Sequence, residues 1–261
     1  MTPAPEFFAP QSLAIATLLG IRISTLLLVA PVFSASSVPV QIRAAITLVL
    51  VAVLFAPARV HAVNVELTMI SATTEVVIGF AIGFGAALFV GAAETAGDLM
   101  TMQMGLSGAS ILDPYTNVTV PVLAQFFQLF VVTLMLACDA HLIMIDTLAA
   151  TLRTFPLGTT LHIADGLRAM VGLGATLLML GVKMSAPIIG SVLIGNVALA
   201  LLSRAAPQLN VLSVAFPLQI GLGLFVVATA LPVMAGHFTD WSRSYDAVLN
   251  RLFSTLANGV S

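Results

Sequence analysis

The side chains able to do chemistry in this chain are few, and they sit in apolar surroundings. Glu75 lies inside one apolar run, Asp139, His141 and Asp146 inside another, and Lys183, the only lysine, inside a third. Ionisable groups in such segments face protein or water rather than lipid, and they serve as structural pairs or as a relay for protons or ions. Cys138 and His141 are three residues apart, hence on one face of a helix, and both are metal-ligating types, but two ligands do not close a site. Asp139, Asp146 and Arg153 repeat every seven residues along another shared face. Arg22, near the middle of the first apolar run, either snorkels to an interface or pairs within a bundle. On the structural reading Lys183 takes a carboxylate such as Asp139 or Glu75. These residues alone leave two classes open. One is an ion-coupled transporter using Glu75, Asp139, His141, Asp146 and Lys183 near the midplane, and the other is a membrane scaffold.

Enzyme readings fail on inventory. Lys183 is followed by Met184, so no phosphate-binding Gly-Lys-Ser/Thr loop exists, and neither a paired-histidine zinc helix nor a Gly-x-Ser-x-Gly elbow is present. No catalytic residue, metal or cofactor is expected.

The elements that must position these groups follow from composition. Of 261 residues 59% are hydrophobic and only 8% charged, too few polar side chains to coat a soluble domain of that size. The fold class expected is an all-α integral membrane protein of about six apolar helical segments, several kinked or hairpin-forming, in a single membrane-embedded domain over 1–261. A net charge of −2 with no Lys/Arg cluster argues against nucleic acid as a partner, and one cysteine permits no intrachain disulfide. No cation precedes the first apolar run, so that segment is expected to be retained rather than cleaved.

Residues 11–33 match the roughly 20 residues that span a hydrocarbon core, whereas 44–57 is short for a crossing. The run 67–93 carries Glu75 among eleven Leu, Ile, Phe and Val residues. Each contributes about −0.3 to −0.6 kcal/mol against about +3 for the acid, so insertion tolerates it. Gly79, Gly83, Ala87 and Gly91 recur every four positions and form a flat stripe for close packing, within the chain or between subunits. Residues 94–117 read as a Gly/Met-rich loop, its glycines weakening a helix and its methionines supplying pliable apolar bulk. Over 118–152 a long apolar helix is expected, interrupted by Cys138, Asp139, His141 and Asp146, and a helix end near Cys138 with polar groups at an interface fits as well. A short polar linker holding His162, Asp165 and Arg168 follows, then a kinked run over 169–203 containing Pro187. Pro207 marks a hinge before the last apolar run, 211–235. In the tail, 240–261, Trp241, Tyr245, Val248, Leu252 and Leu256 recur at helical spacing, which gives an amphipathic helix for a membrane surface or a partner. Counting Lys/Arg by loop, an N-inside arrangement with six crossings is favoured.

Several strings together carry a resemblance. They are Pro31-Val-Phe-Ser, Val38-Pro39 with Arg43, Gly97, Gln103-Met-Gly-Leu-Ser, Asp113-Pro114 and Pro121-Val-Leu-Ala. His141-Leu142, Phe155-Pro-Leu-Gly and the hinge string 204–218, with Arg204, Pro207, Gln208 and Pro217, complete the set. In order and spacing, from about 11 to 232, the chain resembles the FliR family of flagellar export proteins, shared with virulence type III secretion. The resemblance implies a structural, pore-forming subunit of a flagellar protein export gate in the bacterial inner membrane. Its implied partners are FliP-like and FliQ-like gate subunits, FlhB-like and FlhA-like export proteins and, transiently, unfolded flagellar proteins, with lipid around the assembly. It also implies that the loop holding Met104, Gly105, Leu106, Ser107, Gly108, Ala109, Ile111, Asp113 and Pro114 plugs the channel. Two positions depart from the family's pattern: Gly108 stands where relatives carry a bulkier aromatic, and Ala140 where they carry the glycine of Gly-His-Leu.

Overall fold

The structure is a computed structural model that describes residues 10–35, 38–62, 65–106, 122–159, 163–206, 208, 211–239 and 241–257. Every regular element among them is helical. The elements are α1 (Pro10–Val29), α2 (Pro31–Ser34), α3 (Val40–His61), α4 (Met69–Gln103), α5 (Val122–Ala137), α6 (Ala140–Thr154), α7 (Ile163–Ala205), α8 (Val211–Thr239) and α9 (Trp241–Ala257). Five described helices are long and apolar enough to cross a membrane, or six if the bent pair α5 and α6 forms one span. The chain is an all-helical integral membrane protein.

Prolines and one carboxylate place the breaks. Pro31 supplies no backbone N–H to continue α1 and instead opens α2, where the first N–H groups need no partner. Asp139 adopts the left-handed conformation at φ 55°, which its short polar side chain tolerates, and the chain bends by 66° between α5 and α6. Pro156 stops α6 one residue after Phe155. By contrast α4 holds no proline and runs for 35 residues. At 1.5 Å per residue that is about 52 Å, well beyond a hydrocarbon core of about 30 Å.

The chain divides into two compact units, one of residues 1–88, 135–174 and 241–261 and the other of 89–134 and 175–240. In the first unit α1 lies against α3 and along the first half of α4, α3 also meets α6, and α9 covers α4 and α6. In the second unit the end of α4 packs on the start of α5, on α7 and on α8. Burial is uneven among the spans. In α4, 61% of the span window is buried, against 11% for α3 and for α8. Leu48, Val53, Leu193, Ile194, Leu224 and Phe225 are all exposed and apolar. The exposed helices present grease outward because lipid or another chain, not water, is their solvent.

Several expectations are corrected. The short run 44–57 is the middle of a 22-residue helix that begins just after Pro39 and continues through Pro57, with Arg59 and His61 in its last turn. Residues 94–103 of the expected loop are the final turns of α4; Gly97 and Met100 are buried there while Met102 is exposed, so tertiary contacts on one face override weak propensity. Of the two readings of 118–152, the helix end near Cys138 holds: the described residues form two helices, α5 ending at Ala137 and α6 starting at Ala140. Asp165 and Arg168 are helical, in the first turns of α7, not in a linker. The tail does form a helix, but Tyr245, Leu249 and Leu252 on its apolar face are buried against this chain rather than turned to a membrane surface.

Candidate functional site

The first unit is built around a buried polar knot. Arg22 on α1 and Glu75 on α4 are both fully buried, and Arg22 Nε donates to Glu75 Oε2 at 2.5 Å. The other two guanidinium nitrogens each make one bond: Nη1 donates to Thr151 Oγ1 at 3.2 Å and Nη2 to the Phe155 carbonyl at 3.0 Å. The Phe155 carbonyl is free to accept because Pro156, with no N–H, ends α6 at this point. Three residues on, Gly158 takes φ +91°, a left-handed conformation open to glycine, which lets the chain turn away after Pro156. No hydrogen bond of normal geometry reaches Glu75 Oε1. The Phe-Pro-Leu-Gly string thus serves the ion pair through the Phe155 carbonyl.

Small residues let the helices come close enough for this pairing. A Cβ on Gly79 would collide with the Arg22 carbonyl oxygen, and one on Gly83 would stand 2.9 Å from Val29 Cβ. These two members of the stripe therefore serve a contact inside the chain. Ala87 and Gly91 are half-buried. Beside the stripe, a Cβ on Gly85 would meet the Tyr245 ring at 3.2 Å, and the Tyr245 hydroxyl donates to the Ile82 carbonyl at 3.0 Å. Burial pushes the Tyr245 phenol well above its ordinary range, and the Asp246 carboxylate adds to the effect. Phe253 of the same helix lies 5.3 Å from the Phe155 ring, so α9 also touches the turn that serves the knot.

In the second unit the stem of the candidate plug loop is gripped. Met104 is fully buried, and its side chain occupies the space beside Gly223, where a Cβ would stand 2.5 Å from Met104 Cγ. Gly105 takes φ +69° under Phe216 and Gln219. Phe216, Gln219 and Gly223 are spaced i, i+3, i+7 and so share one face of α8. Gln219 Nε2 donates to Asn196 Oδ1 on α7 at 2.5 Å. Gly97 sits on the Ala124 backbone, and Gly181 against Thr95. Of the other loop positions, Leu106 is half-buried, whereas Ser107, Gly108, Ala109, Ile111, Asp113 and Pro114 lie outside the described residues.

The remaining candidates do not assemble. Asp139 is exposed at the bend between α5 and α6, and Lys183 is exposed on α7. Of the expected Lys183 pairings, the one with Glu75 is corrected, because Glu75 is held by Arg22. His141 is half-buried with no partner for Nδ1. Cys138 lies in the turn before α6, not on a common helix face with His141, and among the described residues no group of three metal-ligating side chains forms. The shared face expected for Asp139 and Asp146 is lost for the same reason. Arg204 in the last turn of α7, Gln208 beyond it and Pro217 inside α8 are exposed, and Pro207 lies outside the described residues. Sequence reasoning places Arg22 and Glu75 in separate runs without joining them, and it misses Thr151 and the buried role of Tyr245. The pairing is legible in principle as one cation and one anion, each alone in an early apolar run.

The fold and the knot define a class, an all-helical membrane protein whose fully buried charges are used to hold helices together. Residues 13–244 match the family described as bacterial export proteins, family 1. The chain is 30% identical over 243 residues to the flagellar biosynthetic protein FliR of Escherichia coli K12, covering 92% of this chain and 90% of that one. It is 29% identical over 216 residues to FliR of Pectobacterium carotovorum, with 82% and 83% covered, and 26% identical over 229 residues to FliR of Bacillus subtilis, with 83% and 86% covered. The chain belongs to the FliR family of bacterial export proteins.

Proposed function

We propose that this chain, a component of a flagellar export apparatus, is a structural subunit of the wall of the type III export gate, through which unfolded flagellar proteins leave the cytoplasm across the inner membrane. The family match over residues 13–244 carries the reading. Physical features support it: α3, α7 and α8 keep broad apolar faces uncovered, and α4 is longer than a bilayer core is thick. A wall subunit needs outward surfaces of this kind for FliP-like and FliQ-like neighbours, with FlhB-like and FlhA-like proteins beside the gate. The 107–114 segment acts as the plug in this reading, its stem held by α8. Energy comes from elsewhere in the apparatus.

The test is assembly. Co-expressed with FliP-like and FliQ-like subunits, the chain is expected to purify in one stable complex, and its deletion is expected to abolish filaments. Purification without those subunits, or normal filaments in the deletion strain, would overturn the proposal.

A further inference from the structure

We infer that the cleft where α3 and α6 end binds the headgroup of an amine-bearing phospholipid, with one acyl chain laid along α3. The cleft has a volume of about 300 Å³ and is lined by Pro57 and His61 of α3 and by Asp146, Ala149, Ala150, Leu152 and Arg153 of α6. Its position is at a membrane interface, because His61 is the last residue of a 22-residue apolar helix of spanning length. Val49, Val53, Pro57 and His61 are spaced by four, so they form one stripe on α3. Val49 and Val53 are 61% and 65% exposed, an open apolar track that leads into the polar cleft.

The chemistry of the lining selects the headgroup. Arg153 offers a forked donor for a phosphate, and His61 a further ring N–H. Asp146 stands seven residues from Arg153, about 10 Å along the helix, too far for mutual neutralisation. Neither Asp146 nor Arg153 has a side-chain hydrogen bond or ion pair among the described residues. A bare phosphate would be repelled by Asp146, whereas a zwitterion carrying phosphate and ammonium satisfies both charges. The small side chains Ala149 and Ala150 between them leave room for it.

The assembled complex, placed in nanodiscs holding equal parts phosphatidylethanolamine, phosphatidylcholine and phosphatidylglycerol, is assayed by native mass spectrometry for retained lipid. The wild-type chain is expected to keep phosphatidylethanolamine over the other two. Arg153→Gln is expected to lower that retention at least about tenfold, the loss of one charge-assisted phosphate contact. Asp146→Asn is expected to keep lipid but shift its choice toward phosphatidylglycerol. Equal retention in the Arg153→Gln complex, or an unchanged choice in Asp146→Asn, would overturn the inference. So would displacement by millimolar inorganic phosphate, which would mean that the cleft reads phosphate alone. Absence of lipid from the wild-type complex would mean that another subunit covers the cleft, and would equally overturn it.

Discussion

Arg22 on α1 and Glu75 on α4 meet at 2.5 Å with neither side chain reaching solvent, so one ion pair joins the first span to the 35-residue, proline-free α4. Removing one partner leaves the other charge buried alone, which costs about 3–5 kcal/mol, while replacing both by apolar residues of similar size is often neutral. Arg22→Met and Glu75→Leu are each expected to lower complex yield and thermal stability sharply, and the double variant to regain most of the loss. A double variant as damaged as either single one would show that the pair does more than hold the helices.

The close approach of α1 to α4 gives a second outcome. Gly83→Val is expected to destabilise by about 2–3 kcal/mol, since overpacking forces backbone to move and the neighbours here are Val29 Cβ and the backbone at Ala30 and Leu26. At Gly190 on α7 an added methyl would meet no atom within 4 Å, so Gly190→Ala is expected to be neutral or to stabilise by about 0.5–1 kcal/mol through helix propensity. Melting of the purified complexes separates the two.

Tyr245 gives a prediction with a pH sign. Its phenol is raised by burial, so the hydroxyl stays protonated and keeps donating to the Ile82 carbonyl at ordinary pH. A raised folded value means that the stabilisation is fully present below the ordinary tyrosine value of about 10 and is lost as pH climbs above it. Tyr245→Phe is expected to loosen α9 by about 1 kcal/mol at neutral pH and to remove the alkaline loss that this residue contributes. Protease access to α9 at pH 8 and pH 11 measures both effects.

How much of this is legible in the sequence depends on the kind of signal. Apolar runs and proline breaks locate spans well, because burial in lipid and the missing N–H are local facts. Hence α1, α7, α8 and the amphipathic pattern of α9 are readable. What α9 covers is not, because period 3.6 marks an apolar face without naming its partner, and the partner is Gly85, more than 150 residues away in the chain. The end of α4 reads as loop because glycine and methionine content lowers helix propensity, yet Gly97 is where α5 comes closest and Met100 and Met104 are fully buried. The Arg22 site needs Thr151 and a main-chain carbonyl, and no spacing rule announces either.

Lys183 tests the transport alternative. It is exposed on α7 and Asp139 is exposed at the bend before α6, so neither is held in a buried polar site. Lys183→Ala and Asp139→Asn are each expected to leave swimming unchanged, scored as spread on soft agar. Loss of motility in either, with the complex still assembled, would restore an ion-coupled role.

Met104 and Gly223 provide the last prediction, on the hold over the stem of the loop. Met104 fills the space that a side chain at 223 would need, and it is fully buried, so its flexible end has little room to retreat. Gly223→Leu is expected to drive Met104 out of its place on α8 at a cost of about 1–3 kcal/mol. Adding Met104→Ala to Gly223→Leu returns the lost volume and is expected to recover most of that cost, whereas Met104→Ala alone leaves a cavity costing about 2–5 kcal/mol. The double-mutant cycle, read from thermal melts of the assembled complex, measures the coupling directly. Strictly additive losses would mean that residues 104 and 223 do not share the space. Small-ion leak in the same strains then asks a separate question: leak that rises with Gly223→Leu and falls again in the double variant ties the grip of α8 on this turn to sealing, and leak that stays flat breaks that tie while leaving the packing result standing.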